Sequence, residues 1–328
     1  MTDRRLFLHG IAWLAITTLA RAQATERVRR LAVLSGFSRN DWDASIKLIR
    51  PELEKLGWIE GRTILLLEPR TSDGRNDRLS ALADEVVALA PDVVLAYTVP
   101  ATRALMQATK TIPIVMVGVG DPVAYGLARS YAEPGGNITG AHFPAHESSR
   151  KTLELLKEIA PRIASVAVFV NPTSEAAELY GREMRDAGKL LGLRIDLLDV
   201  RKAADFEPAF AAILRQRAES LLLAPEPLIR SQRAAVAKFA GHHRLPLAIV
   251  ADTRFLGPDV LLTHAPSVAQ YPLMTARYVD RILRGANPAK LAIEQPSKFE
   301  LGINVNVAKA LGLTIPQPLL LRADEVIQ

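Results

Sequence analysis

Eight short apolar runs, parted by stretches of helical spacing, fall along this chain as two sets of four. That repetition constrains the fold more than any other feature. The first set is LAVLSG (31–36), TILLLEP (63–69), DVVLAYT (92–98) and IPIVMVG (112–118). The second is SVAVFVNP (165–172), LRIDLLDV (193–200), SLLLAPE (220–226) and LPLAIVAD (245–252). Between them, stretches such as KLIRPELEKLGW and AAELYGREMRDAGKLLG place apolar residues three and four apart, the spacing of a helix with one buried face. Strand and helix in alternation predict parallel sheets built from right-handed βαβ units. The fourth run of each set opens alike, with Ile112-Pro113 and Leu245-Pro246, where proline suits the first position of a strand.

One sheet of eight or more strands would need a single core larger than chains usually build, since cores stop growing near roughly 250–300 residues. With 328 residues, 49% of them hydrophobic, two α/β lobes are expected. Turn-rich stretches at 132–149, 251–267 and 286–300 break the pattern, so the chain is expected to pass between the lobes three times. The predicted division is 28–143 with 262–286 for one lobe, and 144–255 with 290–328 for the other. Several strands crossing one hinge permit rotation while resisting shear, as closure over a ligand requires.

The chain begins MTDRRLFLHGIAWLAITTLARAQA, with a basic start, an apolar stretch from Ile11 to Leu19 and small residues at Ala20 and Ala22. This predicts a secretory signal peptide over residues 1–24, cleaved near Ala22 or Ala24, and hence a periplasmic protein. Arg4 and Arg5 followed by Leu6, Phe7 and Leu8 resemble a twin-arginine export signal, with Asp3 in place of the usual small hydroxyl residue.

Residue chemistry excludes much. There is no cysteine, so thiol catalysis, cysteine-ligated metals and disulfides are out. The net charge of +6 is dispersed among acidic residues, which argues against a nucleic-acid partner. Gly118 and Gly120 suggest a dinucleotide turn, but Val123 stands where the third glycine should be and Pro122 intrudes. Gly188-Lys189 is followed by Leu190 where a P-loop needs Ser or Thr. His142 and His146 are four apart, but Pro144 and nearby glycines oppose the helix that would align them on a metal. His242 and His243 read as a helix end. No Gly-x-Ser-x-Gly elbow supports a hydrolase, so neither cofactor nor catalysis is expected.

What remains is positional. Ligands of open α/β sheets sit beyond the carboxyl ends of the strands. Those ends carry Ser35 and Gly36, Tyr97 and Thr98, Gly120 and Asp121, Asn171 and Thr173, Glu226, and Asp252. Helix-start N–H groups aided by hydroxyls can hold a carboxylate, and Asp121, Glu226 or Asp252 could accept an ammonium group. For Asp121 and Asp252 the competing role is to cap a turn. Phe37, Trp42 and Tyr97 stand near strand ends, where their rings could stack on a ligand.

These residues resemble the periplasmic substrate-binding proteins of bacterial ABC transporters, in the branch that includes binders of tryptophan and other aromatic amino acids. The resemblance spans nearly the whole mature chain. It rests on LEKLGWIEGRTI (53–64), DRLSALADEVV (77–87), IPIVMVGVGDPVAYGLARSYAEPGGNITG (112–140), LELLKEIAP (153–161), FVNP (169–172), RILRGANPAKLAIEQPSKFELGINVNVAKALGLTIP (281–316) and LLLRADEVI (319–327). It implies a type I fold of two lobes joined by three crossovers, an interlobe site without catalysis, and a small amino-acid-like ligand. The implied partner is an inner-membrane permease, the protein acting as a monomer.

Carried over, the cleft positions are Ser35, Thr98, Asp121, Asn171, Glu226 and Asp252, with Thr263 at the start of a Thr263-His264-Ala265 segment where the family has Ser-Tyr-Gly. The family usually has Gly at Thr98 and Asp at Glu226, and its acidic-aromatic pair is Ala251-Asp252 here. Two other readings of the lobes remain open: an exported Rossmann-like enzyme, or a sensing module that reports to a receptor.

Overall fold

The structure is a computed structural model, and it describes residues 27–328. The predicted signal peptide lies outside the described residues. Among the described residues, no helix is long and apolar enough to cross a membrane.

All eight runs form strands, in two sheets. The first sheet holds β1 (Arg29–Ser35), β2 (Ile64–Leu66), β3 (Arg70–Thr71), β4 (Val93–Tyr97), β5 (Ile114–Val119) and β6 (Ile138–His142). The second holds β7 (Ser165–Val170), β8 (Arg194–Asp199), β9 (Leu221–Leu223), β10 (Leu247–Ile249), β11 (Leu262–Pro266), β12 (Phe299–Asn304) and β13 (Glu325–Ile327). Neighbours run β2-β1-β4-β5-β6 in one and β8-β7-β9-β10-β11 in the other, the same winding twice. Every residue of β4 and β7 is buried, as expected for parallel strands covered on both faces by helices. Pro113 and Pro246 each stand just before a strand and lend only their carbonyls, to Val94 and Leu221.

The second sheet departs from the expected all-parallel pattern, because β12 runs antiparallel to β11. The cause is topological. β11 leaves its sheet at Pro266 toward the other lobe and β12 returns from there, Phe299 pairing with Pro266, so the returning strand must run the opposite way.

Two domain boundaries shift accordingly. Residues 262–266, expected in the first lobe, pair with β10 and β12 in the second sheet. Thr263-His264-Ala265 therefore precede the second crossing. Residues 290–294, expected in the second lobe, remain with the first, where Leu291 and Ile293 join its core and Glu294 bridges Ala141. The chain crosses between Phe143 and Ala145, after Pro266, and again before Phe299. The helix Gln270–Leu283 belongs to the first lobe, where Ala276, Tyr278, Val279 and Ile282 pack with Trp42, Val93 and Leu95.

The turn-rich segment 132–149 also carries more order than its composition predicts. It contains β6 and the start of the helix Ala145–Ile159, with Pro144 at the N-cap. His142 is thus in a strand and His146 in the first turn of a helix, so the two never share a helical face. The helix Arg233–His242 ends at His243, as its histidines suggest.

Candidate functional site

In both sheets the first and third runs are adjacent and the winding reverses between them, which is where open α/β sheets hold ligands. The two reversal points face each other across a cleft divided into two compartments. The inner one, about 120 Å³, is lined by Thr98, Gly120 and Tyr125 from the first lobe and by Asn171, Tyr180 and Glu226 from the second. The outer one, about 180 Å³, is lined by Asp41, Ser45 and Tyr97 from the first lobe and by Arg230, Asp252 and Phe255 from the second. Phe37, Gly118, Phe143, Ala224 and Pro225 border both.

Local sequence explains how these groups are held. Gly118 sits at φ 62° in a register shift of β5, so the strand can bulge there, and a β-carbon would meet the Tyr271 ring at 3.4 Å. Thr98 is itself at φ 85°, a conformation that L residues rarely adopt, and its hydroxyl caps the helix Val99–Ala108. Glu226 caps the short helix Pro227–Ser231: one carboxylate oxygen accepts the Ile229 N–H at 3.0 Å, the other the Asn171 amide at 3.0 Å. Burial raises the Glu226 pKa, and the Ile229 and Asn171 hydrogen bonds oppose that rise only in part.

Of the residues expected in the site, Tyr97, Thr98, Gly120, Asn171, Glu226 and Asp252 line a compartment. The remainder stand behind it. Ser35 accepts the Phe37 N–H at 3.0 Å, and Gly36 lies so close to Thr98 that a β-carbon would sit 2.6 Å from its hydroxyl. Asp121 is a turn cap. Burial pushes its carboxyl up, but the Ala124 N–H, the Tyr131 hydroxyl and the Val123 N–H together hold it below the ordinary carboxylate value. Thr173 donates to Asn171 at 2.7 Å, fixing that amide. Thr263 is buried in β11 against Gly302. Asp252 lines the outer compartment but is bound by the Arg254 guanidinium at 2.7 Å and caps the turn with the Arg254 N–H.

Sequence reasoning missed two groups. The first joins the lobes: the Tyr125 hydroxyl and His146 Nε2 are 2.7 Å apart, His146 Nδ1 contacts Glu183, and Arg103 reaches Glu175 and, at 2.5 Å, the Tyr125 carbonyl. Burial lowers the His146 pKa despite Glu183. The second is Arg230, whose guanidinium lies 4.6 Å from the Phe255 ring centre and 5.5 Å from that of Phe37. Only the short spacing from Glu226 to Arg230, one turn of helix, could have signalled it.

Residues 30–327 match the model of the family described as ABC transporter substrate binding protein, and the chain belongs to that family. A tyrosine-binding protein of Clostridioides difficile is 24% identical over 263 residues, covering 80% of this chain and 74% of the relative. Among solved structures, a conserved domain protein of Vibrio cholerae is 27% identical with a TM-score of 0.83, covering 92% of this chain and all of the other. An ABC domain from Streptococcus pneumonia in complex with L-Trp is 22% identical, with a TM-score of 0.82 and coverage of 91% and 99%.

Proposed function

We propose that this protein is exported to the periplasm, closes as a monomer over a small amino-acid-like solute, and hands it unchanged to an ABC permease in the inner membrane. The observation that carries this reading is the cleft itself, two largely apolar compartments with a few polar groups each, lined from both lobes at facing reversal points. Membership of the substrate-binding family supports the transport role, and relatives whose ligands are tyrosine and tryptophan support the ligand class. Within the cleft, Glu226 is the acid that receives an ammonium group: each of its oxygens accepts one hydrogen bond and keeps a lone pair free, whereas Asp121 stands behind the compartments and Asp252 is already neutralised by Arg254. Thr98, Asn171 and Gly120 complete the polar wall around it.

A ligand present at a hundredfold its dissociation constant should stabilise the protein by about 2.7 kcal/mol. Thermal melting with amino acids, short peptides, purines, sugars and organic acids therefore tests the reading. At least one class should raise the melting temperature by several degrees; no shift with any class would overturn it.

A further inference from the structure

Positive charge outnumbers negative in the lining of the outer compartment. Three guanidinium groups, of Arg230, Arg233 and Arg254, face two carboxylates, of Asp41 and Asp252. Both carboxylates are already engaged. Asp252 is bound by Arg254, and Oδ2 of Asp41 accepts the Ser38 N–H and hydroxyl at 3.2 and 2.6 Å in the capping box of the helix Arg39–Lys55, with Oδ1 turned toward Arg230. Arg230 approaches Asp41 only to 3.6 Å, beyond hydrogen-bond range, and its guanidinium donates no hydrogen bond among the described residues. Its Nε is buried without a partner.

Opposite, from the first lobe, the buried Tyr97 hydroxyl makes no well-formed hydrogen bond, its polar neighbour Ser45 being turned to donate to the Asp41 carbonyl at 2.9 Å. Two orphan donors, one from each lobe, thus line one compartment. An unmet buried donor is costly, so such groups are normally paired, and a pair of them in one cavity points to an acceptor that arrives from outside. The Phe37 and Phe255 rings, against which Arg230 lies, would flank a planar group.

We propose that the ligand carries a carboxylate that enters the outer compartment and accepts hydrogen bonds from Arg230 and Tyr97. A guanidinium presents paired N–H donors in the geometry of a carboxylate, which a lysine cannot reproduce. Of the helix starts that line the inner compartment, that of Val99–Ala108 is already capped by Thr98, and that of Ala177–Leu191 offers backbone N–H groups without a cationic side chain. The assignment rests on the solute-binding reading and adds to it the charge of the solute and the end of the cleft that reads it.

Acids matched with their carboxamides test it: L-phenylalanine with L-phenylalaninamide, phenylacetate with phenylacetamide, and succinate with succinamide, by calorimetry and melting. The expected result is that at least one acid binds and its amide binds roughly 10–100-fold more weakly, the range for hydrogen bonds to charged groups. Arg230→Gln should abolish that preference, Arg230→Lys should restore part of it, and Tyr97→Phe should reduce it several-fold. The ligand-free melting temperature of Arg230→Gln should match or exceed that of the parent, whereas a structural arginine would lower it.

Equal binding of acid and amide, or a preference surviving in Arg230→Gln, overturns the assignment. A neutral sugar or purine bound alike by parent and Arg230→Gln overturns it while leaving the solute-binding reading intact. No binding by any solute removes both.

Discussion

The two compartments share a wall yet handle their polar groups in opposite ways. In the inner one, Glu226, Asn171 and Thr173 form a chain in which each group has a partner before any ligand arrives. In the outer one, the acids have partners and the donors Arg230 Nε and Tyr97 Oη do not. A completed network fixes geometry, whereas an incomplete one stores affinity for whatever completes it. Substitutions within the Glu226-Asn171-Thr173 chain should therefore cost stability, whereas those at Arg230 and Tyr97 should be nearly silent until ligand is added.

The largest test of that contrast is acid. Burial lowers the His264 pKa to about 4, and burial also lowers those of His142 and His146. Because the folded protein binds these protons less tightly than the unfolded chain, stability is full above pH 6.5 and falls as the pH drops toward 4. His264 alone accounts for on the order of 3 kcal/mol. Melting curves between pH 7.5 and 4 should show the loss, and His264→Gln should flatten it. None of these histidines lines the outer compartment, so the preference for L-phenylalanine, whose carboxylate stays ionised across this range, over its amide should persist while the melting temperature falls; a parallel loss would break the contrast.

Next in size is Glu226. Glu226→Gln keeps one of the two acceptor oxygens and sets an amide N–H against the other donor, so it should cost about 1 kcal/mol of stability and about tenfold in affinity for solutes with an ammonium group. Glu226→Ala removes the helix cap and a partner of Asn171, and should cost ~1–3 kcal/mol of stability as well. Unchanged affinity in both variants would make Glu226 purely architectural. Tyr125→Phe deletes the contact to His146 between the lobes and should cost about 1 kcal/mol, seen as a few-fold faster ligand release with acid and amide affected equally. The smallest effect falls at Thr98. Thr98→Gly relieves the positive φ and forfeits a weak cap, so denaturant titration should show a gain of roughly 0.5–1 kcal/mol. Ligand affinity should nevertheless drop slightly, since the Thr98 hydroxyl lines the inner compartment.

Most of the fold could be read from the chain because parallel strands buried on both faces announce themselves as unbroken apolar runs. β6, β11 and β12 were harder. Their sequences, ITGAH, LTHAP and FELGIN, mix polar residues with a proline or glycine, because these strands lie near the hinge and are shaped by the crossings. The strand ends led to residues that line the cleft, yet could not distinguish Asp252, held by Arg254, from an acid awaiting a ligand. Arg230 was illegible for the same reason. One arginine among many reads as a solvated side chain until two phenylalanines, one on each lobe, are found beside it.

The antiparallel return of β12 bears on how the molecule is assembled. A chain made only as far as Pro266 has a first sheet without the helix Gln270–Leu283 to cover it and a second sheet still lacking β12 and β13. Neither lobe can close its core before the C-terminal segments emerge, so the two must mature together instead of in sequence. The cleft that both lobes line therefore depends on C-terminal segments that supply few of its walls, since without them neither sheet is complete.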